Sequence, residues 1–318
     1  MSKTVFITGC SGFVGRHLSD RLVKDGYDVH GLVRHVSDRM DMFDGINVHF
    51  GDIRDGKTIA DILDEVQPNI IMHLAYQSSV EYSFTHEEEC FDVNLYGSNM
   101  LASSARKHCK NLEKYIFASS VETYGNQTEF PITEDNVVNP ASPYGVAKVS
   151  NEIYLRYLYR GFGFPVVTLR STNTYGRKFR KYNFVIEHIL ADMMMGKRYI
   201  NMGYPQPVRD FLYVDDEVEA YLALIRSTDK VIGGVFNTGT KRGITISELF
   251  KVCEGAVRCV EGNWFEPMWD TNSPRGYEIS NLTISGDKLT EWTGWKPKVT
   301  LEEGIKKTIE LNGGSLCV

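Results

Sequence analysis

A phenol and an ammonium stand four residues apart in Ser142-Pro143-Tyr144-Gly145-Val146-Ala147-Lys148, where the chain predicts the start of a helix. At that spacing both side chains share one helix face, one turn apart. A lysine cation beside a tyrosine favours the phenolate, so the Tyr144 pKa is expected to fall below its ordinary value of about 10. A tyrosine tuned that way can exchange a proton with a hydroxyl group near neutrality. Alone, the pattern equally fits a half-buried anchor and a solvated charge. Two other stretches bear on the choice. Gly9-Cys10-Ser11-Gly12-Phe13-Val14-Gly15 is rich in glycine, and Ser119-Ser120-Val121-Glu122-Thr123-Tyr124-Gly125 lies just upstream of Tyr144.

The glycine run follows an apolar stretch, Thr4 to Thr8, and precedes a helical pattern with apolar residues at Leu18, Leu22 and Val23. Strand, glycine loop and helix in that order form a dinucleotide-binding turn. The glycines let backbone approach a pyrophosphate, and the helix N-terminus offers N–H groups and a positive dipole end. Val29 to Val33 reads as the second strand. Where an NAD site usually places an acid for the ribose hydroxyls, this chain has Val33-Arg34-His35, with Arg39 further on. A guanidinium there suits a 2′-phosphate, so NADP is expected, with NAD as the alternative. A surface charge at a strand end is the other reading of Arg34.

Strands are further expected at 47–50, leading into Gly51-Asp52-Ile53, at 70–74, at 115–118 and at 166–170. Helices are expected at 58–66, 87–107 and 144–159. This alternation implies a Rossmann-type α/β fold, a doubly wound parallel sheet with helices on both faces. Leu74, Ala75 and Ser119 to Gly125 would then lie at its ligand-binding edge. After Arg170 the pattern loosens, with helices expected at 184–195, 215–225 and 246–254. The chain is expected to divide into a cofactor domain, 1–170, and a smaller α/β substrate lobe, 171–318. A short return strand around 235–237 is expected to rejoin the main sheet.

The 318 residues carry a net charge of -6, which argues against a nucleic-acid partner. No apolar run approaches the roughly 20 residues of a membrane span. The six cysteines, Cys10, Cys90, Cys109, Cys253, Cys259 and Cys317, show no CxxC spacing. Reduced thiols in a cytoplasmic protein, without a metal site, are expected.

Together these residues resemble the extended short-chain dehydrogenase/reductases that act on nucleotide sugars. The resemblance covers nearly the whole chain. It rests on GxxGxxG at 9–15, Leu74-Ala75, SSxxxYG at 119–125, YxxxK at 144–148 and Arg170-Ser171-Thr172-Asn173. It also rests on Val208-Arg209-Asp210-Phe211 with Val214-Asp215-Asp216, and on Pro274-Arg275-Gly276. The resemblance implies that Ser120 and Tyr144 bind the sugar 4-hydroxyl, with Tyr144 as base. It implies that Lys148 holds the nicotinamide ribose, and that Asn173, Asn183, Arg209 and Arg275 bind the nucleotide diphosphate. A salt bridge to Asp210 is the other reading of Arg209.

Val29-His30-Gly31-Leu32-Val33-Arg34, with Asn183-Phe184-Val185, is most similar to GDP-mannose 4,6-dehydratases, which implies that reaction on a GDP-mannose-like substrate. Glu122 matches a glutamate of the 4,6-dehydratases, implying a base for the C5 proton. There are departures. Val121 stands where dTDP-glucose dehydratases carry an aspartate, Tyr76 replaces a small residue, and the chain is shorter than most GDP-mannose dehydratases. A 4-epimerase, an NADPH-dependent 4-keto-6-deoxy sugar reductase and a noncatalytic dinucleotide sensor remain open. A homodimer through the two long helices is expected from the resemblance.

Overall fold

The computed structural model describes residues 2–34, 43–178, 184–261, 264–270 and 278–314. Its first half alternates strands and helices. β1 (Thr4–Thr8), α1 (Phe13–Lys24), β2 (Asp28–Val33), β3 (Ile46–Phe50), α2 (Gly56–Val66) and β4 (Ile70–His73) come first. Then follow α3 (Val80–Thr85), α4 (Glu87–Phe91), a π-helical segment (Asp92–Gly97) and α5 (Ser98–His108). β5 (Lys114–Ser120), α6 (Pro143–Phe162) and β6 (Val166–Ser171) complete this half.

The second half holds β7 (Asn173–Tyr175), α7 (Val185–Met194), β8 (Tyr199–Met202), β9 (Val208–Tyr213), α8 (Val214–Arg226), β10 (Val235–Asn237), β11 (Gly243–Thr245) and α9 (Ile246–Glu261). β12 (Glu266–Trp269), β13 (Asn281–Leu282), α10 (Asp287–Thr293) and α11 (Leu301–Leu311) follow.

Seven parallel strands form the main sheet in the order β10-β6-β5-β4-β1-β2-β3. Its two faces are buried by alternate residues of the same strands, as a parallel sheet requires. Val5, Ile7, Ile70, Met72 and Ile116 enter one apolar cluster with Leu18 and Leu22 of α1. Phe6, Ile71, Tyr115 and Phe117 enter the other with Leu63 of α2 and Leu101 of α5. The strand order reverses between β1 and β4, which opens a crevice at the carboxyl edge.

In the second half β9 is the hub. It pairs with β7, β11 and β13, while β8 and β12 form a separate parallel pair. The helices α10 and α11 lie beyond what the sequence pattern suggested. α11 starts with a capping box in which Thr300 and Glu303 satisfy each other's backbone N–H groups.

The helix expected over 87–107 is interrupted. In the π-helical segment the Asn94 carbonyl accepts a bond from the Asn151 amide of α6 (2.6 Å), and its side chain grips the Gln77 backbone. A π-turn frees a carbonyl in this way, and hydrophobic spacing does not reveal it. No helix among the described residues is long and apolar enough to cross a membrane.

Candidate active site

The glycine loop delivers the first part of the site. Gly9 has φ +78°, and a Cβ there would lie 2.7 Å from the Ala75 nitrogen and the Leu74 carbonyl carbon. A Cβ on Gly15 would meet the Gly9 oxygen at 2.1 Å, so α1 starts hard against the loop. Gly12 caps α1 without any side-chain hydrogen bond. The first-turn N–H groups, beginning with Phe13 and Val14, are thus left for an anion.

Two pockets of the crevice flank this loop. One, about 280 Å³, is lined by Gly12, Arg34, Asp52, Ile53, Ala75 and Tyr76 among others. Arg34 is exposed at the end of β2. Asp52 is bound by Arg54 (2.9 and 2.8 Å), which holds its carboxyl below the ordinary value, with Arg34 adding to the effect. The other, about 870 Å³, runs from Gly9 past Ser120, Glu122, Tyr144 and Lys148 to Asn173. These two cavities and the uncapped helix end fit a dinucleotide laid across the sheet.

The carboxyl end of β5 and the first turns of α6 bring in the reacting groups. Ser120 ends β5, and its hydroxyl accepts the Glu122 N–H (3.2 Å), capping the turn Val121–Tyr124. Ser142 caps α6 by accepting the Gly145 N–H (3.1 Å), with Pro143 at the first position. Tyr144 and Lys148 therefore share a face, 9% and 2% exposed. Below them, Glu152 pairs with Arg170 of β6 (2.6 Å) and accepts the Ser119 hydroxyl, fixing α6 to the sheet.

The Tyr144 phenol does not follow the expectation from spacing. Burial raises its pKa above the ordinary value, the Ser120 hydroxyl lowers it, and Glu122 raises it. The Lys148 ammonium is turned elsewhere. It donates to the Ala118 carbonyl and sits 3.2 Å from the centre of the Tyr76 ring, against 5.6 Å for the Tyr144 ring. Burial lowers the Lys148 pKa well below its ordinary value. Tyr76, singled out in the sequence only as an oversized residue, is thus the seat of the ammonium. Its own hydroxyl accepts from Asn151. No short motif marks this contact, since it joins the end of β4 to the middle of α6.

Glu122 is half-buried beside Ser120 and Tyr144 in the larger cavity. Burial raises its carboxyl above the ordinary value, Arg209 lowers it and Glu278 raises it. Arg209 is engaged by Glu278 (2.6 Å) and by the Val208 and Ile279 carbonyls. Asp210, the partner that sequence adjacency offered, instead accepts from the Thr240 N–H and hydroxyl and from the Ile284 N–H. Asn173 lines the cavity and donates to the Asp210 carbonyl (3.1 Å). Asn183 and Arg275 lie outside the described residues. Glu217 and Tyr221 of α8, which the sequence did not single out, also line the cavity.

A family model described as GDP-mannose 4,6 dehydratase matches residues 6–308. The chain belongs to the extended short-chain dehydrogenase/reductases that act on nucleotide sugars. It is a member of the dehydratase/epimerase branch of that family, as the relatives also indicate. UDP-glucose 4-epimerase of Mycolicibacterium smegmatis is 31% identical, over 96% of each chain. The dTDP-D-glucose 4,6-dehydratase of Homo sapiens is 30% identical, over 97% of this chain and 89% of its own. The structure of UDP-glucose 4-epimerase with UDP-glucose from Thermotoga maritima superposes with a TM-score of 0.87 at 32% identity, covering 96% of this chain and 97% of that one. The Thermus thermophilus UDP-glucose 4-epimerase complex with NAD gives 0.85 at 28%, covering 96% and 98%.

Proposed function

We propose that this family member is a nucleotide-sugar 4,6-dehydratase that acts on a GDP-mannose-like substrate with bound NADP. The observation that carries the reading is Glu122, a carboxyl sharing the cavity of Ser120 and Tyr144 with its pKa raised by burial. Tyr144, hydrogen-bonded by Ser120, takes the proton of the sugar 4-hydroxyl. Bound NADP, held by the glycine loop, Arg34 and Lys148, would supply the exchange of hydride with C4 and C6. A ketone at C4 acidifies the C5 hydrogen, which Glu122 removes. The raised pKa lets Glu122 hold that proton and pass it to the hydroxyl leaving C6 as water, and a proton from solvent then restores the C5–H bond as hydride adds at C6. Lys148 orients the nicotinamide ribose, and Asn173, Asn183, Arg209 and Arg275 take the nucleotide diphosphate, for which arginine forks suit phosphate oxygens.

In this reading residues 1–170 hold the cofactor and 171–318 the nucleotide sugar, and two chains pair. NADP is assigned over NAD because Arg34 stands where an acid would otherwise meet the ribose. The NAD in the Thermus thermophilus relative supports a nicotinamide dinucleotide of either kind. A 4-epimerase is the second reading, favoured by the names of two relatives. It needs Tyr144 and Ser120 and leaves Glu122 without chemistry.

Glu122→Gln separates the two. Oxidation at C4 needs Tyr144 only to take the hydroxyl proton, and that residue is unchanged, but an amide cannot take the C5 proton. Loss of a general base costs a factor of about a hundred to ten thousand. Mixed with GDP-mannose and other nucleotide sugars, the variant should reduce its cofactor and stall. Absorbance of reduced nicotinamide should persist, and no solvent deuterium should enter C5. Normal turnover by the variant on the substrate of the wild type overturns the dehydratase reading and leaves the epimerase.

A further inference from the structure

Glu217 is an acid of the cleft that the reaction above does not use. It stands in the first turn of α8, is 0% exposed and lines the cavity that holds Tyr144, Ser120 and Lys148. The Ser171 hydroxyl donates to its Oε1 and lies 3.4 Å from the Tyr221 phenol oxygen. Its Oε2 meets no hydrogen-bonding partner among the described residues. A buried polar atom left alone is costly and rare, and one lining a ligand cavity points to a bound group as its neighbour.

The sheet says which part of a dinucleotide comes near. The glycine loop follows β1, and Arg34 ends β2 on one side of it. A dinucleotide with its pyrophosphate at that loop and its adenosine over β2 sends its other end toward β4, β5 and β6. Ser171 ends β6 and is the register partner of Ser120 on β5. Ser120 and Ser171 therefore end neighbouring strands on that side, with Glu217 bonded to Ser171.

We propose that Glu217, steadied by Ser171, is an ionisable positioning residue of the nicotinamide pocket whose charge state sets the balance between oxidised and reduced cofactor. The inference rests on the cofactor reading given above. An oxidised nicotinamide ring is a cation and a reduced one is neutral. A carboxylate close by in a low dielectric favours the cation, and a protonated carboxyl does not. Burial pushes the Glu217 carboxyl up to about 7, with the Ser171 and Thr238 hydroxyls acting downward, so it changes charge in the neutral range. For an enzyme that lends hydride and takes it back, neither form can be held too tightly.

Many of the other ionisable groups around α8 are paired: Glu219 with Arg21 and Arg226 with Asp25 against α1, and Asp215 with Lys307 of α11. Tyr221, on the same helix, is raised well above its ordinary value and couples to Glu217 and to Tyr144. Tyr175 on β7 and Tyr213 on β9 are likewise raised by burial. Asp215 and Asp216 neighbour Glu217 in α8, and Asp216 binds the Lys298 and Val299 N–H groups. On β6 Arg170 is paired with Glu152, and on β5 Lys114 donates to the Leu224 and Ile225 carbonyls at the far end of α8. From α10, Asp287 is paired with Lys241. His17 of α1, held below its ordinary value by burial, is a second group whose charge changes on acidification. A variant, and not a pH profile alone, must assign the effect.

The test measures dissociation constants of NADP, NADPH, NAD and NADH at equilibrium, between about pH 6 and 8.5. In the wild type the preference for the oxidised over the reduced form should rise about tenfold across that range. In Glu217→Gln it should stay flat. Binding of the oxidised form near neutrality should release a proton, seen by calorimetry in buffers of different ionisation enthalpy, and the Gln variant should release none. Ser171→Ala keeps the carboxyl and removes a hydroxyl that favours its ionised form. That variant should move the midpoint to higher pH, and it serves if the Gln variant does not fold. A flat ratio in a wild type that binds both forms, or an unchanged slope in the Gln variant, overturns the Glu217 inference alone. Failure to bind any of the four cofactors sinks the cofactor reading and this one together.

Discussion

At the residue scale, the proposed role of Tyr144 requires it to give up its proton where burial opposes the phenolate. Ser120 is the hydrogen-bonding group that offsets this, so the two act as a pair. Tyr144→Phe removes only the hydroxyl and keeps the ring that packs edge-on against Tyr76 (5.9 Å). Turnover should fall by a factor of about a hundred to ten thousand, while thermal stability and nucleotide-sugar binding stay near wild type. Wild-type turnover in the Phe variant would remove Tyr144 from the chemistry. Arg34→Asp is the matching change at the cofactor. It puts an acid at the end of β2, so the NADP preference should reverse in favour of NAD when both are titrated. Tighter NAD binding by the unmodified protein would sink the NADP assignment. The position of both residues in the crevice was legible in the sequence because its signal is local: a spacing of four on a helix, a side chain at the end of a strand. Tyr76, Glu278 and Glu217 were not, since their roles come from contacts between distant segments. Glu278 meets Arg209 across 69 residues, whereas the sequence offered only the adjacent Asp210.

At the element scale, the strand ends are held by buried polar groups that pin β4 between β1 and α5. His73 ends β4, is fully buried, and shares hydrogen bonds with Thr8 of β1 (2.7 Å) and Ser98 of α5 (2.7 Å). Burial lowers its pKa from 6.5 to about 3, and the Lys148 cation adds to this. The unfolded chain therefore binds a proton at His73 through a range where the folded chain does not. Its contribution to stability is fully present above pH 6.5 and is lost as pH falls toward about 3. Glu217 and Asp210, raised to about 7 and about 6, act in the opposite direction on acidification. They do so in any His73 variant as well, so they cancel in a comparison. Urea unfolding should show the wild type losing about 2 kcal/mol more than His73→Gln between pH 6.5 and about 5. Equal slopes would mean that the imidazole is not held neutral by the fold. The alternation of strands and helices was legible through period and burial. The π-turn at Asn94, the short α3 and the terminal helices were not, because polar contacts and capping set them where apolar spacing is weak.

At the scale of the whole molecule, α6 has two faces with different duties. Tyr144, Lys148, Asn151, Glu152 and Leu155 are buried toward the sheet and the cleft. On the outer side Val146, Ile153 and Tyr157 are exposed at 39%, 56% and 56%, spaced so that they fall on one stripe. Tyr96, in the π-helical segment that packs on α6, is exposed as well, at 52%. Single exposed apolar residues are ordinary, but a stripe on the helix that carries the proposed catalytic pair suits the pairing proposed above. In the proposed dimer a second copy covers it, the two outer faces meeting about a twofold axis, the commonest symmetry of oligomers. Sedimentation velocity should then give twice the 36.1 kDa chain mass for the wild type. Ile153→Glu with Tyr157→Glu places two carboxylates on each side of that axis, where four like charges would have to be desolvated together. The double variant should sediment as a monomer with its own fold intact by circular dichroism, since neither side chain reaches the core. A wild type that stays monomeric at micromolar concentration, or a double variant that stays dimeric, would show that α6 is not the pairing face.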